Sequence, residues 1–177
     1  MFAATHFALF GLQPAYLLDR DDLTIRYREL QKAAHPDRYA HAGESERLLA
    51  VSQAARINDA YQILRDPVSR ARYLLKLQGG SWQDDQTIQD KAFLFEQMEL
   101  REELEGLQTD RELDALEKFA QRVRQLEQQQ EQKLAREFVD LAHLHLVQGR
   151  TEIQKMMFFR KLREETEHEI NAVLDET

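Results

Sequence analysis

The chain has 177 residues with a formal net charge of −8, of which 42% are apolar and 32% charged, so it suits one domain or two small ones. It has no cysteine, which excludes disulfides, thiol catalysis and cysteine-ligated metal centres and fits a cytoplasmic protein. The acidic total argues against nucleic acid as the main partner, and no apolar run approaches the roughly 20 residues that span a membrane.

The first predicted elements are a short apolar turn and an amphipathic helix. Thr5 is predicted to cap the turn, which ends at Gly11, and the broken apolar N-terminus is interpreted as structure, not as a signal peptide. In "DDLTIRYRELQKAA", Asp21 or Asp22 is the predicted cap. The apolar positions recur at helical spacing and predict a buried stripe of Leu23, Tyr27, Leu30 and Ala34. The side chains off this stripe are mostly basic: Arg26, Arg28, Glu29 and Lys32.

The helix is predicted to end at His35, because Pro36 disfavours the helical conformation in the residue before it. A loop, "DRYAHAGES", then leads to a second helix from about Ser45 to Leu64. The predicted buried positions of that helix are Leu48, Val51, Ala55, Ile57 or Asn58, and Tyr61. A third helix starts with Asp66 as its cap and Pro67 in its first position, and the pair Gly79-Gly80 closes it.

The C-terminal half is predicted to be a separate, acidic three-helix bundle. The acidic excess falls after residue 78, and "GGSWQDDQTIQD" is the best linker. Helices are expected over about 91–106, where Gly106 ends the first, over about 110–147, and over about 151–174, with a turn at "QGR". No strand pattern is found, so the predicted fold is all-α. The expected organisation is a domain at 1–77, a linker at 78–90 and a C-terminal domain at 91–177.

Residues 1–77 resemble a J-domain. The resemblance rests on a helix, the tripeptide His35-Pro36-Asp37, a loop, a long helix and then "AYQILRDPVSRARYLL". Further along, "DKAFLFEQMELREELEGL" is similar to the start of the C-terminal domain of HscB-type co-chaperones, and the Gly/Phe-rich and cysteine-rich segments of general J-proteins are missing. The resemblance implies a co-chaperone that serves an HscA-type ATPase chaperone in iron–sulfur cluster assembly and presents the scaffold protein IscU to it.

The tripeptide lies where the chain must turn sharply after a helix. An exposed carboxylate at a rigid corner is a good partner for an arginine on another protein, and a basic surface beside it would steer an acidic partner. The resemblance implies that this partner is the ATPase domain of the chaperone. The residues expected to bind it are His35, Pro36, Asp37, Arg26, Arg28, Lys32 and Arg38.

The stretch 93–104 carries more apolar residues than one buried stripe needs. At about 100° per residue, Phe93, Leu100 and Leu104 cluster on one side and form the predicted inward stripe. The remaining apolar residues form a second face with acidic neighbours, which is typical of a binding site, although that face could also pack within the protein. The positions that match the family's scaffold-binding residues are Leu94, Phe95, Met98, Glu99, Glu102 and Phe158. At Gly106 the chain lacks an acidic residue found in the family.

Three other hypotheses remain open at this point. A J-protein could serve a different client, a hydrolase or metalloprotein could use His35 and Asp37, or the tripeptide could be incidental in a structural helical protein. No histidine stands in a known ligand spacing and no glycine-rich phosphate loop is present. We therefore expect no enzyme activity, no cofactor and no metal, and a monomer that binds an HscA-type chaperone and an IscU-type scaffold but neither nucleic acid nor membrane.

Overall fold

The computed structural model describes residues 5–35, 43–82, 88 and 90–176. These residues form seven α-helices and one short 3-10 turn, and the described part of the chain contains no strand, which confirms the all-α prediction. The chain divides into two compact units, Met1–Leu77 and Gln78–Thr177.

The first unit contains four helices: α1 (His6–Leu9), α2 (Arg20–Ala33), α3 (Glu44–Arg65) and α4 (Pro67–Leu77). Helices α2 and α3 pack as a hairpin, and α1 and α4 pack against α3. The core of the unit is made of apolar side chains that are almost fully buried: Phe7, Phe10, Tyr16, Leu23, Ile57, Ala60, Leu64, Ala71, Leu74 and Leu75.

In the motif "AYQILRDPVSRARYLL", which includes most of α4, several residues stabilise the fold of the first unit. The Asp66 side chain accepts a hydrogen bond of 2.8 Å from the Ser69 N–H, which caps α4 as predicted. The buried Arg70 donates to the Leu64 carbonyl oxygen at 2.6 Å and lies 5.0 Å from the Tyr16 ring centroid. Such contacts are needed because a buried charge without partners is costly. The Tyr73 hydroxyl accepts the His6 N–H at 3.0 Å, which joins α4 to α1.

Two predictions in the first unit are wrong. The N-cap of α2 is Asp19, not Asp21 or Asp22, and Asp19 accepts hydrogen bonds from the backbone N–H groups of both. In α3, Leu48 and Val51 are more than half exposed, and Ala55 is exposed as well. The predicted stripe rests on apolar spacing alone, but α3 buries only Ala50 in its first turns and large side chains only from Ile57 onward.

The second unit is a bundle of α5 (Lys91–Asp110), α6 (Leu113–Glu137) and α7 (Leu146–Asp175), with the 3-10 turn Leu141–His143 before α7. Helices α6 and α7 are antiparallel neighbours, as predicted. The main apolar cluster takes side chains from all three helices: Phe93, Leu100, Leu104, Leu116, Phe119, Val123, Phe159 and Leu162.

Helix α5 does not end at Gly106. It continues to Asp110 and ends where Arg111 adopts the left-handed conformation (φ 54°), with its N–H bonded to the Leu107 carbonyl oxygen at 2.9 Å. A glycine in a helix costs only about 1 kcal/mol relative to alanine. Leu107 packs against the apolar cluster, and this burial outweighs the cost.

The predicted turn at 148–150 is also wrong, and these residues lie inside α7. The chain turns earlier, through residues 138–145, where Asp140 caps the 3-10 turn by accepting the Ala142 N–H at 3.1 Å. A Cβ atom at Gly149 would lie 3.3 Å from the Leu144 side chain and 3.4 Å from the Phe138 ring. Gly149 therefore permits close packing, and it does not turn the chain.

Candidate functional site

The solvent face of α2 carries the predicted basic residues, but not as one group. Arg28 and Lys32 are exposed one helical turn apart and share a face. Arg26 points to another side, where its Nε donates to Asp22 at 2.8 Å and its Nη1 donates to the Phe10 carbonyl oxygen at 3.0 Å. Arg26 thus ties α2 to the residues after α1, while Arg28 and Lys32 remain as the basic face.

Of the tripeptide His35-Pro36-Asp37, the structure describes only the first residue. His35 follows the end of α2 and is exposed. Pro36, Asp37 and Arg38 lie outside the described residues, so their predicted role stays a prediction.

An exposed apolar residue of α2 lies beside the basic face of Arg28 and Lys32, and it was not predicted from the sequence to be a binding residue. Ile25 is 55% exposed and lies one turn before Arg28, on the same side of the helix. The sequence could have indicated its exposure, because Ile25 is an apolar residue that lies off the buried stripe of Leu23 and Tyr27. An exposed isoleucine among charges gives this face an apolar contact point.

Helix α5 has two distinct faces. Phe93, Leu100 and Leu104 are 3–6% exposed and lie in the apolar cluster, as predicted. On the other side, Phe95 is 68% and Met98 66% exposed. We call the surface formed by Leu94, Phe95, Met98, Glu99 and Glu102 the α5 face. Its Leu94 is half-buried, and Glu99 and Glu102 are exposed at its edge.

Phe158 of α7 packs against the buried side of α5. It is half-buried against the apolar cluster, and its ring meets that of Phe93 edge-on with centroids 5.6 Å apart. The guanidinium of Arg101 lies 5.7 Å from the Phe158 centroid and forms an ion pair of 2.6 Å with Glu165. Arg101 was missed in the sequence because it lies between the two apolar sides of α5 and belongs to neither.

The histidines do not form a metal site in the part of the chain that is described. Across residues 5–35, 43–82 and 90–176, no three His, Asp or Glu side chains converge in a way that could hold a metal ion. His143 lies in the 3-10 turn and is paired with Asp140 at 2.8 Å, whereas His145 is the residue before α7. Likewise, none of the described helices combines the length and the apolar character that crossing a bilayer requires.

Two protein-family descriptions match this chain, one in each unit. Residues 5–73 match the DnaJ domain, and residues 89–167 match the HSCB C-terminal oligomerisation domain. The first match covers α1 to α3 and ends within α4. The second begins just before α5 and ends within α7.

Similar proteins cover nearly the whole chain. A co-chaperone protein HscB homolog of Vibrio vulnificus is 45% identical over 164 residues, which are 92% of this chain and 94% of that protein. The structure of chaperone HscB from Vibrio cholerae is 41% identical, with a TM-score of 0.83 over 96% of this chain and 99% of that one. Human co-chaperone HscB is 24% identical, with a TM-score of 0.85 over 94% and 82%, and that similarity concerns the fold.

Proposed function

The chain belongs to the HscB family of J-domain co-chaperones, and on this premise we propose that it stimulates the ATPase of an HscA-type chaperone and delivers an IscU-type scaffold protein to it. The two tasks are assigned to different units. The first unit contacts the ATPase, and the second binds the scaffold.

The observation that carries this proposal is the exposure of the α5 face. Two large apolar side chains, Phe95 and Met98, are about two-thirds exposed on a helix whose other side is buried. An apolar centre with acidic residues at its edge is the usual composition of a protein-binding surface. Methionine adapts to the shape of a partner, and an aromatic ring supplies area with few degrees of freedom.

In the first unit, the proposed contacts are Asp37 and the basic face of Arg28 and Lys32. Basic side chains would steer an acidic surface of the ATPase domain and set the orientation of binding. The Asp37 carboxylate would then pair with an arginine of the partner. The hydrolysis itself takes place in the chaperone, and this chain contributes no catalytic group.

The two sites work together through effective concentration. A scaffold held on the second unit is brought to the chaperone that the first unit activates, so that client arrival coincides with ATP hydrolysis. This coupling requires only that both partners bind at once.

The test measures the ATPase rate of an HscA-type chaperone with and without IscU, and the affinity of IscU for this chain by calorimetry. Asp37→Ala should abolish stimulation by the full chain and leave IscU affinity unchanged. Phe95→Ala with Met98→Ala should weaken IscU binding by about a hundredfold and leave stimulation without IscU intact. The matched control is Val139→Ala with Val147→Ala, which removes two equally exposed apolar side chains elsewhere in the second unit.

Two results would contradict the proposal. Stimulation that survives Asp37→Ala would remove the role of the first unit, and equal affinity of the α5 face and control variants would remove that of the second. If the wild-type chain stimulates the chaperone but does not bind IscU, it is an adaptor for another client.

A further inference from the structure

The start of α5 is held by a single lysine from α7. Lys155 Nζ lies 2.8 Å from Asp90 Oδ2 and 3.4 Å from Glu152 Oε1, and its side chain is 15% exposed. The other oxygen of Asp90, Oδ1, accepts the Phe93 N–H at 3.1 Å and so caps α5. One carboxylate therefore joins the first turn of α5 to α7.

Lys155 also faces the residue that precedes the α5 face. Its Nζ lies 5.5 Å from the centroid of the Phe93 ring, close enough for a cation–π contact. The Phe93 ring in turn meets Phe159 edge-on with centroids 5.6 Å apart. Leu94 and Phe95 follow Phe93 directly in α5, so where they project depends on how this turn of the helix is held.

The other side of Lys155 is anchored in the α6–α7 hairpin. Glu152 is 6% exposed, and its carboxylate accepts the amides of Gln130 and Gln148, each at 2.7 Å. Gln130 also donates to the Glu152 carbonyl oxygen at 3.1 Å. Lys155 is thus attached to a buried, hydrogen-bonded polar network between α6 and α7, and Asp90 is attached to Lys155.

Apolar packing supports the first turn of α5 on one side only. Next to Asp90 and Lys155 lies a recess of about 270 Å³, which is lined by Phe93, Leu126 and Gln130 among others. Because α5 and α6 do not close on each other there, the polar contacts of Lys155 do more to hold this turn than they would in a filled core.

Two more ion pairs join α5 to α7, Arg101–Glu165 at 2.6 Å and Arg111–Glu176 at 3.0 Å. In all three pairs the number of residues between the α5 partner and the α7 partner is the same to within one. The two helices therefore run parallel in one register. The side chains of the other two pairs are 33–66% exposed, and such pairs contribute little. The pair of Lys155 is the best protected.

We propose that Lys155 is a positioning residue for client binding, which fixes the first turn of α5 so that Leu94 and Phe95 project in a single orientation. This inference rests on the proposed function of the α5 face. Without Lys155 the turn would fray, and the scaffold would have to order two side chains on binding. Ordering side chains at an interface weakens affinity, here by about tenfold.

The protonation of the pair supports a permanent contact. Burial disfavours the charged form of Lys155, but the hydrogen bond from its ammonium to Asp90 and the charge of Glu152 outweigh this and raise its pKa. The hydrogen bond from Lys155, together with that from the Phe93 N–H, lowers the pKa of Asp90. Both groups therefore stay charged around neutral pH.

The test uses the full chain with Lys155→Met, which keeps much of the apolar stem and removes the charge. We expect IscU affinity about tenfold weaker by calorimetry and faster amide hydrogen exchange at residues 93–98, with unchanged exchange in α6. Lys155→Arg should restore most of the affinity. The matched control is Lys161→Met, since Lys161 lies on the same helix, is 69% exposed and makes one pair of 3.8 Å with Glu165.

A second variant guards against misfolding of Lys155→Met. Asp90→Asn can still cap α5 but cannot form the ion pair, so it should show the same local loss. The inference is overturned if both variants bind IscU like the wild type. It is also overturned if exchange rises equally throughout α6 and α7, because Lys155 would then only stabilise the bundle. If the wild type does not bind IscU, the proposed function fails, while the exchange of residues 93–98 still tests whether Lys155 fixes the turn.

Discussion

Helix α2 of the first unit and α5 of the second use the same pattern for different surfaces. Each buries one apolar side, with Leu23 in α2 and Phe93 in α5 almost completely covered. The exposed side of α2 is charged and carries a single large apolar residue, Ile25, whereas that of α5 has Phe95 and Met98 at its centre. The first surface suits steering and orientation, and the second suits binding by removal of apolar area from water.

The comparison within α5 predicts the largest effect. Phe93→Ala should lower the free energy of unfolding of the second unit by about 3–5 kcal/mol, because it removes a buried ring from a packed cluster. Phe95→Ala should change it by less than about 0.5 kcal/mol, since Phe95 is mostly exposed, and should weaken IscU binding instead. Urea unfolding and calorimetry on both variants check this. Equal loss of stability in the two would mean that the α5 face is part of the core.

The comparison between α2 and α5 predicts different responses to salt. Arg28→Ala and Lys32→Ala should each weaken ATPase-chaperone binding by about threefold to fivefold at low ionic strength, and by less at high ionic strength, because salt screens exposed charges. IscU binding through Phe95 and Met98 should vary much less with salt. Arg26→Ala differs from both, since it should destabilise the first unit by removing the contacts with Asp22 and Phe10. If Arg28→Ala weakened chaperone binding equally at low and high ionic strength, the basic face of Arg28 and Lys32 would not act through its charge.

The smallest expected effect is a difference in acid sensitivity. Burial lowers the pKa of His6 below its ordinary value of 6.5; nearby Arg56 and Lys76 lower it too and Asp59 opposes them. The unfolded chain therefore takes up this proton first, and the stability that the neutral ring contributes above pH 6.5 is lost as the pH falls from that value through the lower pKa of the folded state. Asp90 has a lowered pKa as well, so its contribution to the second unit is lost only below the ordinary aspartate value of 3.8.

Hydrogen exchange of the full chain at pH 7.5 and 5.5 measures this difference. Protection should fall in α1 and α4 of the first unit, where His6 stacks on Tyr73 with centroids 4.3 Å apart. His6→Phe keeps a ring in that position and removes the titration, so its protection should not depend on pH in this range. A loss of the same size in His6→Phe would assign the effect to other histidines.

Much of the architecture was predicted from helical periodicity and caps. Thr5 and Asp66 cap the helices that they were expected to cap. The predictions failed where a residue type has two uses. Gly106 and Gly149 were interpreted as helix ends, but the first is tolerated inside α5 and the second makes room for Phe138.

The sequence predicted which residues belong to the candidate site, but not the contacts that they make with distant parts of the chain. That Leu94, Phe95 and Met98 leave the buried stripe of α5 follows from their spacing alone, because a helix turns by a fixed angle per residue. That Arg26 is used inside the first unit, while Arg28 is not, depends on the Phe10 carbonyl oxygen, which comes from another part of the chain.

By itself, the sequence determined the helices, the two-part organisation of their motifs and the two-sided character of α5, since these depend on neighbours within a few turns. Only the tertiary structure decided which ends of the helices meet. Lys155 and Asp90 are distant in the chain, and neither stands in a motif that would pair them. Their contact exists because the apolar cluster sets α5 and α7 parallel in one register, and such a register depends on packing among all three helices.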